Sequence, residues 1–335
     1  MRAKQDLHGK TVFVTGGSGG LGKAISKELA ARGAHITIFS RRPGPLQEAK
    51  EEILAACLNK NQCVDAVAID LSDATKVTQE FRAQPRVADI LYCVAGGNYA
   101  ENGFIVDIAA EDLENCMKNN YYSSAFAAKS MLDIWTEDDN KRNGPATRTH
   151  NLRQIIFINS AAAFLGSPGS IAYTPAKCAL RALADTLRME VLRYNCTAST
   201  YSIHCAFPAD FVSPGFMLEQ KTKTRLTKRI QGLPDSTNIN EDVLAKRLEA
   251  KFPSSEKVAR LTIAAVDRGD FIICEDSLAA SVLFTGMLGP SPKRGWGIID
   301  ALLAPIVGWF VWPFLRWKWE AMTKADGEEL RRSGC

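Results

Sequence analysis

The sequence predicts an α/β fold, a parallel sheet covered by helices on both faces. Three observations lead there. Short β-rich runs alternate with longer helical patterns along most of the chain. Several of those runs are continuously apolar, as strands buried on both faces are. A glycine-rich stretch joins the first strand-like run to the first helix-like one. Alternation of this kind builds βαβ units and so a parallel sheet.

The strand candidates are seven: TVFVTG (11–16), HITIFS (35–40), AVAID (66–70), DILYCVAG (89–96), QIIFINS (154–160), YSIHCAF (201–207) and FIIC (271–274). Between the first two, LGKAISKELAARG (21–33) has helical spacing and ends in Gly, which readily closes a helix. A polar helix follows over roughly 44–58. No linker breaks the pattern before about residue 290, so 1–290 reads as one domain and 291–335 as a tail. TEDDNKRNGPATRTHN (136–151) is polar and holds Gly and Pro, which predicts a surface insertion. KTKTRLTKRIQGLPDSTNINED (221–242) is basic and then turn-rich. Its Lys221, Lys223, Arg225, Lys228 and Arg229 suit a solvated helix face.

Composition narrows the function classes. The 335 residues are 46% hydrophobic and 23% charged, ordinary for a globular chain with a sizeable core. A net charge of +4 supplies no field that argues for nucleic acid. Nine cysteines lie scattered without a C-x-x-C pair, which argues against a disulfide framework or zinc site and suits a reducing compartment. His8, His35, His150 and His204 are too far apart for a local metal motif, and His204 reads as a packed core or edge residue. The N-terminus lacks the apolar h-region of a secretory signal, and Arg-Ser-Gly-Cys at the end is not a prenylation box.

Two stretches point to a dinucleotide. TGGSGGLG (15–22) follows a strand and opens a helix. Residues without Cβ there let backbone N–H groups and the helix N-terminus approach a pyrophosphate. Gly16, Ser18, Gly19, Gly20, Leu21 and Gly22 are the candidates. The second strand then ends in Ser40, Arg41 and Arg42, where an NAD enzyme usually carries Asp or Glu. A guanidinium binds a 2′-phosphate that a carboxylate would repel, so NADPH is the expected cofactor.

A third stretch, IAYTPAKCALRALADTLRMEV (171–191), puts Tyr173, Lys177, Leu180, Ala184, Leu187 and Val191 on one helix face. By itself the Tyr–Lys pair also fits snorkelling side chains.

The tail differs in character. IIDALLAPIVGWFVWPFL (298–315) would be about 27 Å long as a helix, close to a hydrocarbon core of about 30 Å. Asp300, Pro305 and Pro313 argue against a clean span. Trp296, Trp309, Trp312, Trp317 and Trp319 cluster with Lys293, Arg294, Arg316 and Lys318, a pattern of the headgroup interface. A buried C-terminal helix or a dimer contact is the alternative. Residues 278–288 are too short to span and fit a core helix or the same membrane-facing surface.

Taken in order, T-G-x-x-x-G-x-G at Thr15–Gly22, Asp70 closing the third strand, Ala95–Gly96 closing the fourth, Ser160 closing the fifth and Tyr173-x-x-x-Lys177 thirteen residues later resemble the short-chain dehydrogenase/reductase family. The similarity runs from about 8 to 275. It implies a doubly wound, seven-stranded parallel sheet of Rossmann type and hydride transfer between a carbonyl and a nicotinamide. By this resemblance Tyr173 is the general acid/base, Lys177 binds the nicotinamide ribose and lowers the Tyr pKa, and Ser160 holds the substrate oxygen. A free phenol titrates near about 10, and a neighbouring ammonium favours phenolate. The family's Asn, which holds a water behind the Lys, aligns with Asn120 in MKNNYYSSAF. Further cofactor contacts are implied at Asp70, Leu71, Ala95, Gly96 and Pro208. Three positions depart from the pattern: Cys93 and Val94 stand where Asn is usual, and Gly19 where NADP-preferring members often carry a basic residue.

FPADFVSPGF (207–216) has the form Pro-x-Asp-x-x-[Ser/Thr]-Pro-Gly-Phe and resembles one group of the family, the 3-ketodihydrosphingosine reductases. TGGSGGLG, MEVLRYN (189–195) and the apolar tail are also similar to that group. The likeness implies NADPH-dependent reduction of 3-oxosphinganine to sphinganine on the cytosolic side of the endoplasmic reticulum. The basic run after Pro214–Gly215 then falls in the substrate lid, where it could also rest on anionic lipid headgroups. Some members of the group begin with a transmembrane helix; here anchoring is expected from the C-terminus alone. Reduction of a steroid, retinoid or 3-oxoacyl carbonyl is the alternative. A non-catalytic NADP-binding scaffold is a third reading, against which the Asn–Ser–Tyr–Lys set argues. Expected partners are the lipid substrate, a membrane through residues 296–319 and a second copy of the chain. Neither a metal nor nucleic acid is expected.

Overall fold

Seven strands, β1 (Thr11–Thr15), β2 (His35–Ser40), β3 (Val64–Ala68), β4 (Ile90–Cys93), β5 (Asn151–Ile158), β6 (Ser199–Ala206) and β7 (Ile272–Ile273), form one sheet in the order β3-β2-β1-β4-β5-β6-β7. Every pairing is parallel. The computed structural model describes residues 4–98, 101–142, 150–233, 241–274 and 298–333. The central strands are buried along their whole length, which explains their unbroken apolar runs. The order reverses between β1 and β4, and such a switch point opens a crevice at the carboxyl ends of the strands.

Helices cover both faces. One core layer packs Phe13, Phe39, Leu91 and Phe157 against Val77 and Phe81 of α3 (Ala74–Ala83), Met131 and Trp135 of α5 (Ser123–Arg142) and Leu180, Ala184 and Leu187 of α6 (Tyr173–Glu190). The other sets Val12, Val14, Ile36 and Ile38 against Ile25 and Leu29 of α1 (Gly20–Ala30), Ile53 of α2 (Pro43–Ala55) and Val258, Ile263 and Val266 of α10 (Ser255–Arg268). The face predicted for α6 is buried as expected, from Lys177 through Val191. Side chains cap several helices: Asp73 takes the Lys76 N–H at the start of α3, and Ser254 the Lys257 N–H at the start of α10.

Some expectations need correction. Asp70, Ala95–Gly96 and Ser160 stand two or three residues beyond their strands, because the chain leaves the ladder early to line the crevice. The polar stretch 136–151 is not all insertion. Its first part completes α5 and its last residue begins β5; 143–149 lie outside the described residues. Asp139 is 4% exposed and, with Asp138, pairs with Arg153 of β5, which is itself buried beneath Trp135. Charge read as surface is there a buried ion network. His204 is core, its Nδ1 bonded to the Asp270 carbonyl.

The tail forms two helices, Ile298–Ile306 and Trp312–Ser333, joined by a π turn over Val307–Val311. Among the described residues, no helix is long and apolar enough to cross a membrane. Residues 278–288, Lys293, Arg294, Trp296 and the boundary at 290 lie outside the described residues.

Candidate active site

The crevice begins at the glycine loop. Gly16 has φ +70°, and a Cβ there would sit 2.8 Å from the backbone of Ala95, so only glycine lets β1 turn so close to the end of β4. Thr15 ties the same two strand ends together, its Oγ1 accepting the N–H groups of Val94 (3.0 Å) and Ala95 (3.2 Å). That bond braces the position where Asn is missing. α1 then starts at Gly19 with no side-chain cap and no acidic residue in its first turn. A Cβ at Gly19 would meet nothing within 4 Å, so there is room beside the helix's positive dipole end. These features fit a pyrophosphate.

The end of β2 supplies the next group of side chains. Ser40 Oγ lies 2.8 Å from Ser18 Oγ. Arg41 is exposed and donates from Nη1 to Asn119 Oδ1 at 3.1 Å. Burial raises the Asp70 carboxyl, but hydrogen bonds from the Ser72 backbone and hydroxyl, with Arg41 nearby, hold it below its usual range. Leu71 is buried in the core. Arg42 precedes α2 as its N-cap, and its side chain makes no hydrogen bond to the other site residues described.

The chain between α4 (Ala110–Met117) and α5 passes through a π turn, Lys118–Tyr122. Asn120 sits in that turn with no exposed surface. Its Oδ1 accepts the Gly97 N–H, and its Nδ2 donates to the carbonyls of Gly97 (2.9 Å) and Cys116 (3.0 Å). Gly96 has φ +146°, and a Cβ there would meet Asn120 Oδ1 at 2.6 Å. Asn120 thereby fastens the turn after β4 to the helix.

Lys177 is 3% exposed and donates from Nζ to the Ile158 carbonyl at 3.2 Å. Nζ also stands 5.4 Å from the centre of the Tyr173 ring. Burial pushes this ammonium down to about 8. Tyr173 is half-buried at the first turn of α6 and packs with Cys116, Ala172 and Ala176. Ser160 caps the short 3-10 turn Ala161–Ala163 and accepts the Ala162 N–H at 3.1 Å, which leaves its hydroxyl proton to donate. The Pro208 carbonyl takes the Ala161 N–H, tying the end of β6 to this turn.

The segment after β6 closes over the loop. Ser213 caps α7 (Pro214–Thr222), and its Cβ lies 3.3 Å from where a Gly20 side chain would begin. The basic run is not wholly solvated. Lys223 is 5% exposed, pairs with Glu219 at 2.9 Å and donates to Gln231 Oε1 at 2.7 Å. Asp210, from the FPADFVSPGF stretch, has its carboxyl raised by burial against the opposing pull of Lys223 and Lys251. Sequence reading also missed Cys116 beside Asn120, whose thiol burial pushes up to about 12, and the polar residues Asn98, Glu101 and Asn102 just after β4. Their only signal was polarity in a loop, which solvation alone would explain.

The sequence profile of the short chain dehydrogenases matches residues 10–206. The chain belongs to this family. A 3-ketodihydrosphingosine reductase of Aspergillus fumigatus is 31% identical over 305 residues, 86% of this chain and 77% of the relative. A reductase of the same name from Neurospora crassa is 31% identical over 91% of this chain and 80% of its own length. A 3-dehydrosphinganine reductase of Danio rerio is 30% identical over 74% of this chain and 71% of its own. Among solved structures, a short chain dehydrogenase/reductase of Burkholderia phymatum in complex with NAD has a TM-score of 0.64 at 17% identity, over 87% of this chain and 99% of that one. L-Sorbose reductase from Gluconobacter frateurii, complexed with NADPH and L-sorbose, has a TM-score of 0.61 at 21% identity, over 81% and 97%.

Proposed function

We propose that this chain is an NADPH-dependent 3-ketodihydrosphingosine reductase, converting 3-oxosphinganine to sphinganine. The observation that carries the reading is the wall of buried Asn120 and Lys177 with half-buried Tyr173, and Ser160 just past β5, in a chain whose relatives bear that enzyme's name. When bound, NADPH supplies the hydride. The Ser160 hydroxyl donates to the substrate carbonyl oxygen, and Tyr173 delivers the proton that completes the alcohol. Lys177, charged behind the ring, holds the phenol toward phenolate and binds the nicotinamide ribose. Both side-chain groups of Asn120 are engaged by Gly97 and Cys116, so a relay water would be held by its main chain. The α1 N-terminus takes the pyrophosphate and Arg41 the 2′-phosphate, with Ser40, Arg42, Asp70, Leu71, Ala95, Gly96 and Pro208 around the rest.

The substrate claim is tested by NADPH oxidation with a panel of lipid ketones. 3-Oxosphinganine is expected to show a kcat/KM well above steroids, retinal or 3-oxoacyl chains. Preference for one of those instead would refute it. Arg41→Ala is expected to weaken NADPH by about 10- to 100-fold, the worth of a charge-assisted bond or two, with NADH nearly unchanged. Fluorescence titration of both cofactors reads this, and equal losses would count against the phosphate role.

The reading places the enzyme at the cytosolic face of the endoplasmic reticulum membrane. Leu302, Ile306, Trp309, Phe310, Phe314 and Trp317 are exposed along the tail at helical spacing, an apolar stripe suited to lying in a headgroup layer. Pro305 and the π turn interrupt it as a span. Removing residues 291–335 is expected to abolish pelleting with liposomes and to leave NADPH binding intact. Loss of folding, or pelleting as before, would defeat the anchor. Self-association belongs to the same reading and is supported by the family and by the exposed Tyr122 stacked on Phe126 (5.3 Å).

A further inference from the structure

Arg41, which would meet the 2′-phosphate of NADPH, stands at the surface on a long, flexible side chain. Binding an anion there means ordering that chain first, and the lost rotamer freedom weakens the complex. Asn119 does part of the ordering in advance. Its Oδ1 accepts from Arg41 Nη1 at 3.1 Å.

The Asn119 amide can face only one way. A guanidinium only donates and a carboxylate oxygen accepts, and the amide lies between the two. Oδ1 is turned toward Arg41 and Nδ2 toward Glu101 Oε1 at 3.4 Å. The backbone of Asn119 is held as well, because Ser123 Oγ donates to its carbonyl at 2.7 Å. Within the π turn, neighbouring residues serve different sides of the crevice. The Asn120 side chain binds Gly97 and Cys116, while that of Asn119 reaches the end of β2. Asp70 also lies near the Arg41 guanidinium, whose charge helps to hold its carboxyl down. Arg42 has no comparable hold on its side chain among the described residues, so of the two arginines only Arg41 is placed. The N–H groups of its fork that Asn119 does not take are those a phosphate can use.

We propose that Asn119 is a positioning residue for the 2′-phosphate site, holding the Arg41 guanidinium in place and so setting how strongly the chain prefers NADPH over NADH. The inference rests on the reductase reading, in which Arg41 meets that phosphate. Preorganisation of this kind favours the anion without touching it. It also ties the choice of cofactor to the crevice wall, since the same amide reaches Glu101 beyond β4 and adjoins Asn120 in the chain.

The test titrates the full chain by calorimetry with two fragments of the cofactor, adenosine 2′,5′-bisphosphate and adenosine 5′-monophosphate. Wild type is expected to bind the bisphosphate at least about tenfold more tightly. Asn119→Ala should weaken the bisphosphate about 3- to 10-fold, the worth of ordering one long side chain, and leave the monophosphate unchanged. In an Arg41→Ala background the same substitution should change neither, because it acts only through the guanidinium. Equal losses on both fragments, a loss that persists without Arg41, or no loss at all would overturn the role. Wild type that binds the two fragments equally fails the NADPH reading itself, a different result from a preference that ignores Asn119.

Discussion

Tyr173→Phe is expected to lower kcat by about 10²- to 10⁴-fold, the range that a positioned general acid contributes, while NADPH binds with nearly unchanged affinity. The ring is half-buried against Ala172, Ala176 and Cys116, so Phe keeps that packing and only the proton donor goes. Stopped-flow turnover with a parallel fluorescence titration separates the two effects. Near-normal turnover would remove Tyr173 from the chemistry and return the Tyr–Lys pair to a packing role.

Lys177→Met is expected to make the cofactor-free protein more stable and inactive. Burial lowers this ammonium from 10.5 to about 8, which corresponds to on the order of 3 kcal/mol of strain in the native state at neutral pH. Losing the bond to the Ile158 carbonyl offsets about 1 kcal/mol of that, so a melting temperature a few degrees higher is expected. The sign with pH follows from the direction of the shift. Below about 8 both states hold the proton and the full penalty stands; between about 8 and 10.5 the native lysine has released it while the unfolded one has not, so the penalty shrinks as pH rises. The advantage of Met should therefore be largest at neutral pH and fade toward pH 10.5. A melt showing Lys177→Met less stable at pH 7 would mean the ammonium is well accommodated. A destabilising charge kept on an inward face is what a working site, rather than a packing one, requires.

The sheet was legible because every strand carries its own signal, a short apolar run bounded by turn residues, and because βαβ alternation leaves few topologies. The Gly loop, Ser40–Arg41 and Tyr173–Lys177 were legible because spacing alone puts each at a strand end or on one helix face. What escaped depends on partners distant in sequence. Asp139 looks like part of a polar loop until Arg153 and Tyr201 meet it. Lys223 looks like solvated charge until Glu219 and Gln231 surround it. Asn102 and Gly103 look like part of an ordinary turn, since nothing local says that Thr222 of α7 and Gly169, just before α6, will meet them. Strand ends slipped by two or three residues because hydropathy continues past the last ladder bond.

The π turn at Lys118–Tyr122 carries one residue more than a regular helical turn. α4 and α5 are therefore out of phase by about 100°, the angle one residue subtends in a helix. Upstream of the turn the helix presents Cys116 to Tyr173 and Ala176 of α6; downstream it presents Met131 and Trp135 to the sheet. In an unbroken helix Cys116 and Trp135, nineteen residues apart, would point about 100° away from each other. The inserted residue acts as a phase shifter that cancels this angle, so a single continuous segment keeps one face toward the protein along its whole length, with Asn120 standing at the point where the phase changes.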